Sequence, residues 1–154
     1  MIKIKLEKQL ISLLNQYHKN KIIDAFTLRQ PFNKQEIFNK ICWKLENKNF
    51  ISDNNQIISL LNWRENISNT LITKSIAMPH CQSKNIKTSK IIFVNCSHYP
   101  VIWDKKQTKA KGIIFILFSK HDSQKSLLKI QKFIHEVANE KILKFLFLIK
   151  GKKI

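Results

Sequence analysis

The chain has two glycines in 154 residues, Gly112 and Gly151, so glycine assures no close approach of its backbone to a ligand. Its three cysteines, Cys42, Cys81 and Cys96, are odd in number and widely spaced. They form no CxxC pair and no Cys/His zinc pattern, which excludes a disulfide framework and points to no metal site. Reduced thiols are the expectation, with Cys42 on an apolar helical face as part of the core. Long hydrophobic runs are also missing. A membrane helix needs roughly 18 apolar residues, and the stretches at 112–119 and 145–149 are far shorter. The start, Met1-Ile2-Lys3-Ile4-Lys5-Leu6-Glu7, lacks the apolar core and cleavage site of a signal peptide, so a cytoplasmic address is expected.

Acidic residues are scarce as well: 10 against 28 basic ones, for a net charge of +18. That excess invites a nucleic-acid reading. Arginine, however, is nearly absent, with only Arg29 and Arg64. Base readout favours the bidentate guanidinium fork, which lysine lacks. The 26 lysines are spread along the chain, and Lys, Ile and Asn together account for 65 residues, the bias of an AT-rich coding sequence. A solvated basic surface is the better reading, and a nucleic-acid-binding protein the remote alternative, with no specific nucleic acid as partner.

What is present is enough for one globular domain: 44% hydrophobic residues in a length that buries a real core. Residues 1–20 carry Leu6, Leu10, Ile11, Leu13 and Leu14 at helical spacing and read as an N-terminal helical extension. A strand is expected over 21–28, ended by Gln30-Pro31. Asn33 and Glu36 form a capping-box start for a helix burying Ile37, Phe38, Ile41, Cys42 and Leu45. Asp53 caps a second helix, expected to bury Ile57, Ile58, Leu60 and Leu61 and to end at Arg64-Glu65. Strands follow at 75–79, Lys90–Asn95 and Gly112–Ser119, with a polar loop at 82–88 and an irregular excursion at 99–111. Asp122 or Ser123 caps a helix bearing Leu127, Leu128, Ile130, Phe133, Ile134 and Val137. Residues 141–150 read as helix or strand, helix being preferred. Strands alternating with helices predict an α/β fold: a three-layer α/β/α sandwich with a small mixed sheet flanked by helices.

The stretch with chemistry in it is Ser75-Ile76-Ala77-Met78-Pro79-His80. Pro79 has no N–H to give a ladder, so pairing is expected to stop there and deliver His80 to a loop at the sheet edge. An imidazole so placed can titrate or act as a nucleophile near neutral pH. Taken alone, it also fits an ordinary loop histidine. Arg64 alone is equally explained by the helix dipole, which favours a cation in the last turn.

Arg64-Glu65, the Ser/Thr-rich turn after it, and Ile76-Ala77-Met78-Pro79-His80 together resemble the enzyme IIA domains of the bacterial sugar phosphotransferase system, fructose/mannitol type. The likeness extends over about residues 20–150. It implies a cytoplasmic phosphocarrier that takes phosphate from the carrier protein HPr and passes it to a IIB domain, with a membrane IIC subunit engaged indirectly. His80 matches the phosphorylated histidine and Arg64 the arginine beside the phosphoryl group. No cofactor and no metal are implied. At the family's glycine positions stand Leu71, Thr73 and Ser75, and Cys81 follows the histidine. Ser126 occupies the place of a supporting histidine, with His121 five residues earlier as a candidate replacement and Thr70 as a further phosphate-site candidate. These departures motivate an alternative, a regulatory IIA-like module that binds another protein rather than feeding a transporter.

Overall fold

The computed structural model describes residues 22–137 and 151–154, together with Lys8 and Ser12, both helical and exposed. The rest of the expected N-terminal extension and the element expected at 141–150 lie outside the described residues. Strand β1 (Ile23–Thr27) leads through Pro31 into α1 (Lys34–Asn47) and α2 (Asn54–Ile67). Short strands β2 (Ile76–Ala77) and β3 (His80–Ser83) precede β4 (Lys90–Asn95), a hairpin of β5 (Val101–Ile102) and β6 (Lys109–Ala110), β7 (Gly112–Ser119), α3 (Gln124–Val137) and β8 (Lys152–Lys153).

The main sheet has the order β2-β7-β4-β1-β8, with β3 also on β7. It is mixed: β4 runs antiparallel to β7, while β1 is parallel to β4 and β8, and β2 and β3 are parallel to β7. Side chains alternate across it, because successive residues of a strand point to opposite faces. Phe26, Ala77, Ile92, Val94, Ile113, Phe115 and Leu117 pack with α1 and α2. Ile23, Ile76, Met78, Ile91, Phe93, Ile114 and Ile116 pack with Ile130 and Phe133 of α3. This is the α/β/α sandwich expected.

The first helix forms as its sequence dictates. Asn33 accepts from Glu36 N at 2.8 Å while Glu36 accepts from Asn33 N at 3.1 Å, and Ile37, Phe38, Ile41, Cys42 and Leu45 are all buried. Burying side chains of this size is favourable by about 1.5–3 kcal/mol each. Asp53 caps α2, but only Ile57 and Leu61 of its expected apolar face are buried; Ile58 and Leu60 are half-exposed. A helix lying on a sheet covers one narrow stripe, and those two residues flank it.

Two further expectations are corrected. The excursion at 99–111 is an ordered hairpin. Asp104 closes it by accepting from Thr108 N and Oγ1, both at 3.0 Å, and Trp103 turns inward to stack edge-on against Phe38. And the segment 82–88 begins as strand: β3 continues the edge that Pro79 was expected to end.

Candidate functional site

The site is built on that edge. Ile76 lies opposite Gly112 and His80 opposite Ile116, so β2 and β3 hold one register on β7 with Met78 and Pro79 between them. Pro79 removes only a donor. Its carbonyl still accepts from Ile116 N at 3.0 Å, which ties the chain to β7 at the break. His80 is therefore the first residue of a strand, not a loop residue. On its other side the edge is covered: Met78 N donates to Thr70 O at 2.8 Å and Ile72 N to Ile76 O at 2.9 Å.

The last turn of α2 brings Arg64 to this edge. Its Nη1 donates to Ser68 O at 2.8 Å, satisfying a carbonyl at the helix end, and its Nε donates to His80 Nε2 at 3.3 Å. The helix-capping role and the approach to the histidine are thus both met by one side chain. His80 Nδ1 lies 2.9 Å from Met78 O. A carbonyl only accepts and a guanidinium only donates, so both neighbours fit one tautomer alone: hydrogen on Nδ1, lone pair on Nε2. The ring is partly exposed, held from behind, with its basic nitrogen facing the guanidinium.

The other candidates are placed differently. Thr70 is buried, and its hydroxyl donates to Glu65 rather than toward His80. His121 is exposed and its Nε2 meets Lys84 O at 2.8 Å, beyond the far end of β3; at ~3.3 Å per strand residue that carbonyl is on the order of 10 Å from His80. Ser126, in the first turn of α3, bonds to Ser123 Oγ through its own hydroxyl at 3.1 Å. His98 and His135 are exposed, and His18 lies outside the described residues.

Cys81 follows His80 but is no rival nucleophile: burial pushes its thiol up to about 12, so it stays protonated. Lys34 and the Met78 carbonyl carry no sequence signal for a role at this site, and Glu65 stands out only as half of the Arg64-Glu65 pair. Lys34 and Glu65 are 31 positions apart, a separation that carries no local signal. Among the described residues, no group of His, Cys, Asp and Glu is arranged to hold a metal ion, and no helix is long and apolar enough to cross a membrane.

Solved structures share this architecture. The nitrogen regulatory protein IIA-Ntr of Neisseria meningitidis superposes with a TM-score of 0.66 at 16% identity, over 84% of this chain and 90% of its own. The IIA mannitol protein of Escherichia coli gives 0.58 at 18% identity, over 80% and 86%. The complex of E. coli enzyme IIA mannitol with phosphorylated enzyme IIB mannitol gives 0.54 at 15%, over 81% and 94%. At these identities the likeness is one of fold. No curated protein sequence matches the chain significantly. The sequence profile of the phosphoenolpyruvate-dependent sugar phosphotransferase system EIIA 2 family, however, matches residues 21–151, which take in both Arg64 and His80. Since that match spans most of the chain, the protein belongs to the EIIA type-2 family of the phosphoenolpyruvate-dependent sugar phosphotransferase system.

Proposed function

We propose that the protein is a cytoplasmic phosphocarrier in which His80 accepts a phosphoryl group from HPr and hands it to a IIB domain, for uptake of sugar through a membrane IIC subunit. The observation that carries this reading is the pairing of Arg64 Nε with His80 Nε2 at 3.3 Å while Met78 O holds Nδ1 at 2.9 Å. A structural relative, the mannitol IIA protein, is known in complex with a phosphorylated IIB protein, which supports IIB as the acceptor.

The step needs no proton to be moved. The Nε2 lone pair forms the new N–P bond as the P–N bond to the donor histidine breaks, its electron pair returning to the donor ring. His80 then carries hydrogen on Nδ1 and phosphorus on Nε2 and is cationic, which turns the bond to Met78 O into a charge-assisted one. Arg64 must leave Nε2 for this to occur. Its Nη1 bond to Ser68 O is the pivot, and the remaining N–H donors turn to the phosphoryl oxygens, whose charge they stabilise.

Incubation with phosphoenolpyruvate, enzyme I and HPr is expected to add one acid-labile phosphate, absent from His80→Ala. No gain in mass, or a gain that survives the substitution, removes the reading. A regulatory role for the same site is favoured by one observation: neither Ser126 nor His121 bonds toward His80. It is the better reading if His80 is phosphorylated but sugar uptake in the source organism is indifferent to His80→Ala.

A further inference from the structure

Behind the His80 ring the hydrogen bonds continue inward to a carboxylate that the transfer step does not touch. Glu65 is 8% exposed. Its Oε2 accepts from Lys34 Nζ at 3.0 Å and from Thr70 N at 3.3 Å, and its Oε1 accepts from the Thr70 hydroxyl. Lys34 Nζ also donates to Trp103 O at 3.2 Å and sits 4.6 Å from the centre of the Trp103 ring. Thr70 passes the constraint outward. Its carbonyl accepts from Met78 N at 2.8 Å, and the Met78 carbonyl accepts from His80 Nδ1 at 2.9 Å.

We propose that Glu65 is a positioning residue for His80: through Thr70 it fixes the backbone of Met78, whose carbonyl keeps the proton on Nδ1 and leaves Nε2 as the attacking atom. The inference rests on the reading of His80 as phosphoryl acceptor and assigns the machinery that prepares it.

The physical reason lies in the two tautomers of a neutral imidazole. With hydrogen on Nε2 the ring has no lone pair to offer phosphorus at that atom, so the bond that Nδ1 makes to Met78 O decides reactivity. Met78 can make that bond only while its backbone holds one orientation. Pro79 confines it to the extended region from one side, and Thr70 anchors its N–H from the other. Thr70 is in turn held by two bonds to the same carboxylate. A carboxylate serves three donors here, two from Thr70 and one from Lys34; an amide has a single oxygen and cannot serve all three. Both Glu65 and Thr70 are buried, at 8% and 5% exposure, so neither can be a docking contact for a partner protein.

The test is nitrogen-15 NMR of the histidine rings in the full chain, joined to single-turnover transfer from phosphorylated HPr. In the unsubstituted protein the neutral His80 ring is expected to carry its proton on Nδ1. Glu65→Gln and Thr70→Val are expected to convert it to a mixture of tautomers, and Thr70→Ser to restore it. The transfer rate should fall roughly tenfold or more with KM for HPr unchanged, since positioning is lost and docking is not. Should Glu65→Gln fail to fold, with Lys34 left unpaired, the Thr70→Val and Thr70→Ser pair still decides. A neutral ring protonated on Nε2 in the unsubstituted protein overturns the proposal, as does an Nδ1–H ring unchanged in both variants. A ring that responds as expected but is never phosphorylated supports the coupling and removes the phosphocarrier reading instead.

Discussion

Arg64 directs its Nε–H at Nε2 of His80, the ring nitrogen that has to attack, from 3.3 Å. The same guanidinium therefore occupies the nucleophile at rest and is placed to meet the phosphoryl oxygens once it turns aside. Arg64→Ala should produce two opposite effects. Phosphoryl transfer from HPr should fall by roughly 100- to 1,000-fold, the usual cost of removing one preorganised donor. Acylation of His80 by diethyl pyrocarbonate should become faster, because Nε2 is no longer covered. Arg64→Lys, which keeps the charge but not the planar fork, should transfer phosphate at an intermediate rate. Both rates moving in the same direction would sink the idea of a resting cover.

The three thiols predict a pH dependence. Burial pushes Cys42, Cys81 and Cys96 from an ordinary 9.0 to about 12. A folded value above the unfolded one means that the stabilisation is complete below pH 9.0 and is lost as pH rises from there toward about 12, where only the unfolded thiols first ionise. The loss is on the order of 1 kcal/mol per pH unit for each thiol. Urea-unfolding midpoints above pH 9 should drop more steeply in the native chain than in a variant with all three cysteines replaced by alanine. Equal slopes would refute it. At neutral pH Cys42 and Cys96, both buried, should also resist a thiol-specific reagent until the protein is unfolded.

Lys40 and Lys44 of α1 and its C-cap residue Lys48 stand four positions apart, and burial and its charged neighbours, which include Arg29 and Lys152, lower the Lys44 ammonium from its usual range. Like charges four residues apart on a helix destabilise it by a few tenths of a kcal/mol per pair. Lys44→Gln removes both repulsive pairs, partly offset by the loss of a cation from the last turn, and should raise stability by a few tenths of a kcal/mol at low salt. The gain, read from thermal or urea unfolding, should shrink as salt is added, since these side chains are solvent-screened. A gain indifferent to salt would argue against a charge origin.

Gly151 packs its Cα onto the first strand so closely that a Cβ there would lie 2.4 Å from Ala25 C and 2.5 Å from Phe26 N. Backbone cannot give way as a flexible side chain can. Gly151→Ala should cost about 1–3 kcal/mol. It should also loosen β8, seen as faster amide exchange at Ile154 and Arg29, whose N–H groups bond to Thr27 O and Ile154 O at 2.9 Å. Unchanged exchange at both would mean the strand tolerates the methyl group.

What was legible in the sequence was local. Asn33, Glu36 and the apolar face from Ile37 to Leu45 specify α1 within a single segment, and the structure follows them residue for residue. The strand runs of β4 and β7 announce themselves because both faces are covered, so nearly every residue is apolar. His-Cys-Gln-Ser of β3 has no such signature. An edge strand pairs on one side only and needs no apolar alternation, so the polar residues after His80 read as loop. Pro79 does not terminate the pairing, because proline withholds a donor and leaves its carbonyl to accept from Ile116 N. The Arg64–His80 pairing was reached through family likeness, and spacing alone did not supply it. The Lys34–Glu65–Thr70 network was beyond reach, since it exists only once α1, α2 and the edge strand have been assembled.

That Ile76 and His80 keep one register on β7 across Pro79 has a consequence for how this stretch tolerates change. Each residue inserted or lost between them would turn every later side chain to the opposite face of the sheet and carry the imidazole away from both Arg64 and the Met78 carbonyl. Substitutions nearby are another matter, because the ladder reads backbone and not side chains. Composition can drift on this edge. Its length cannot.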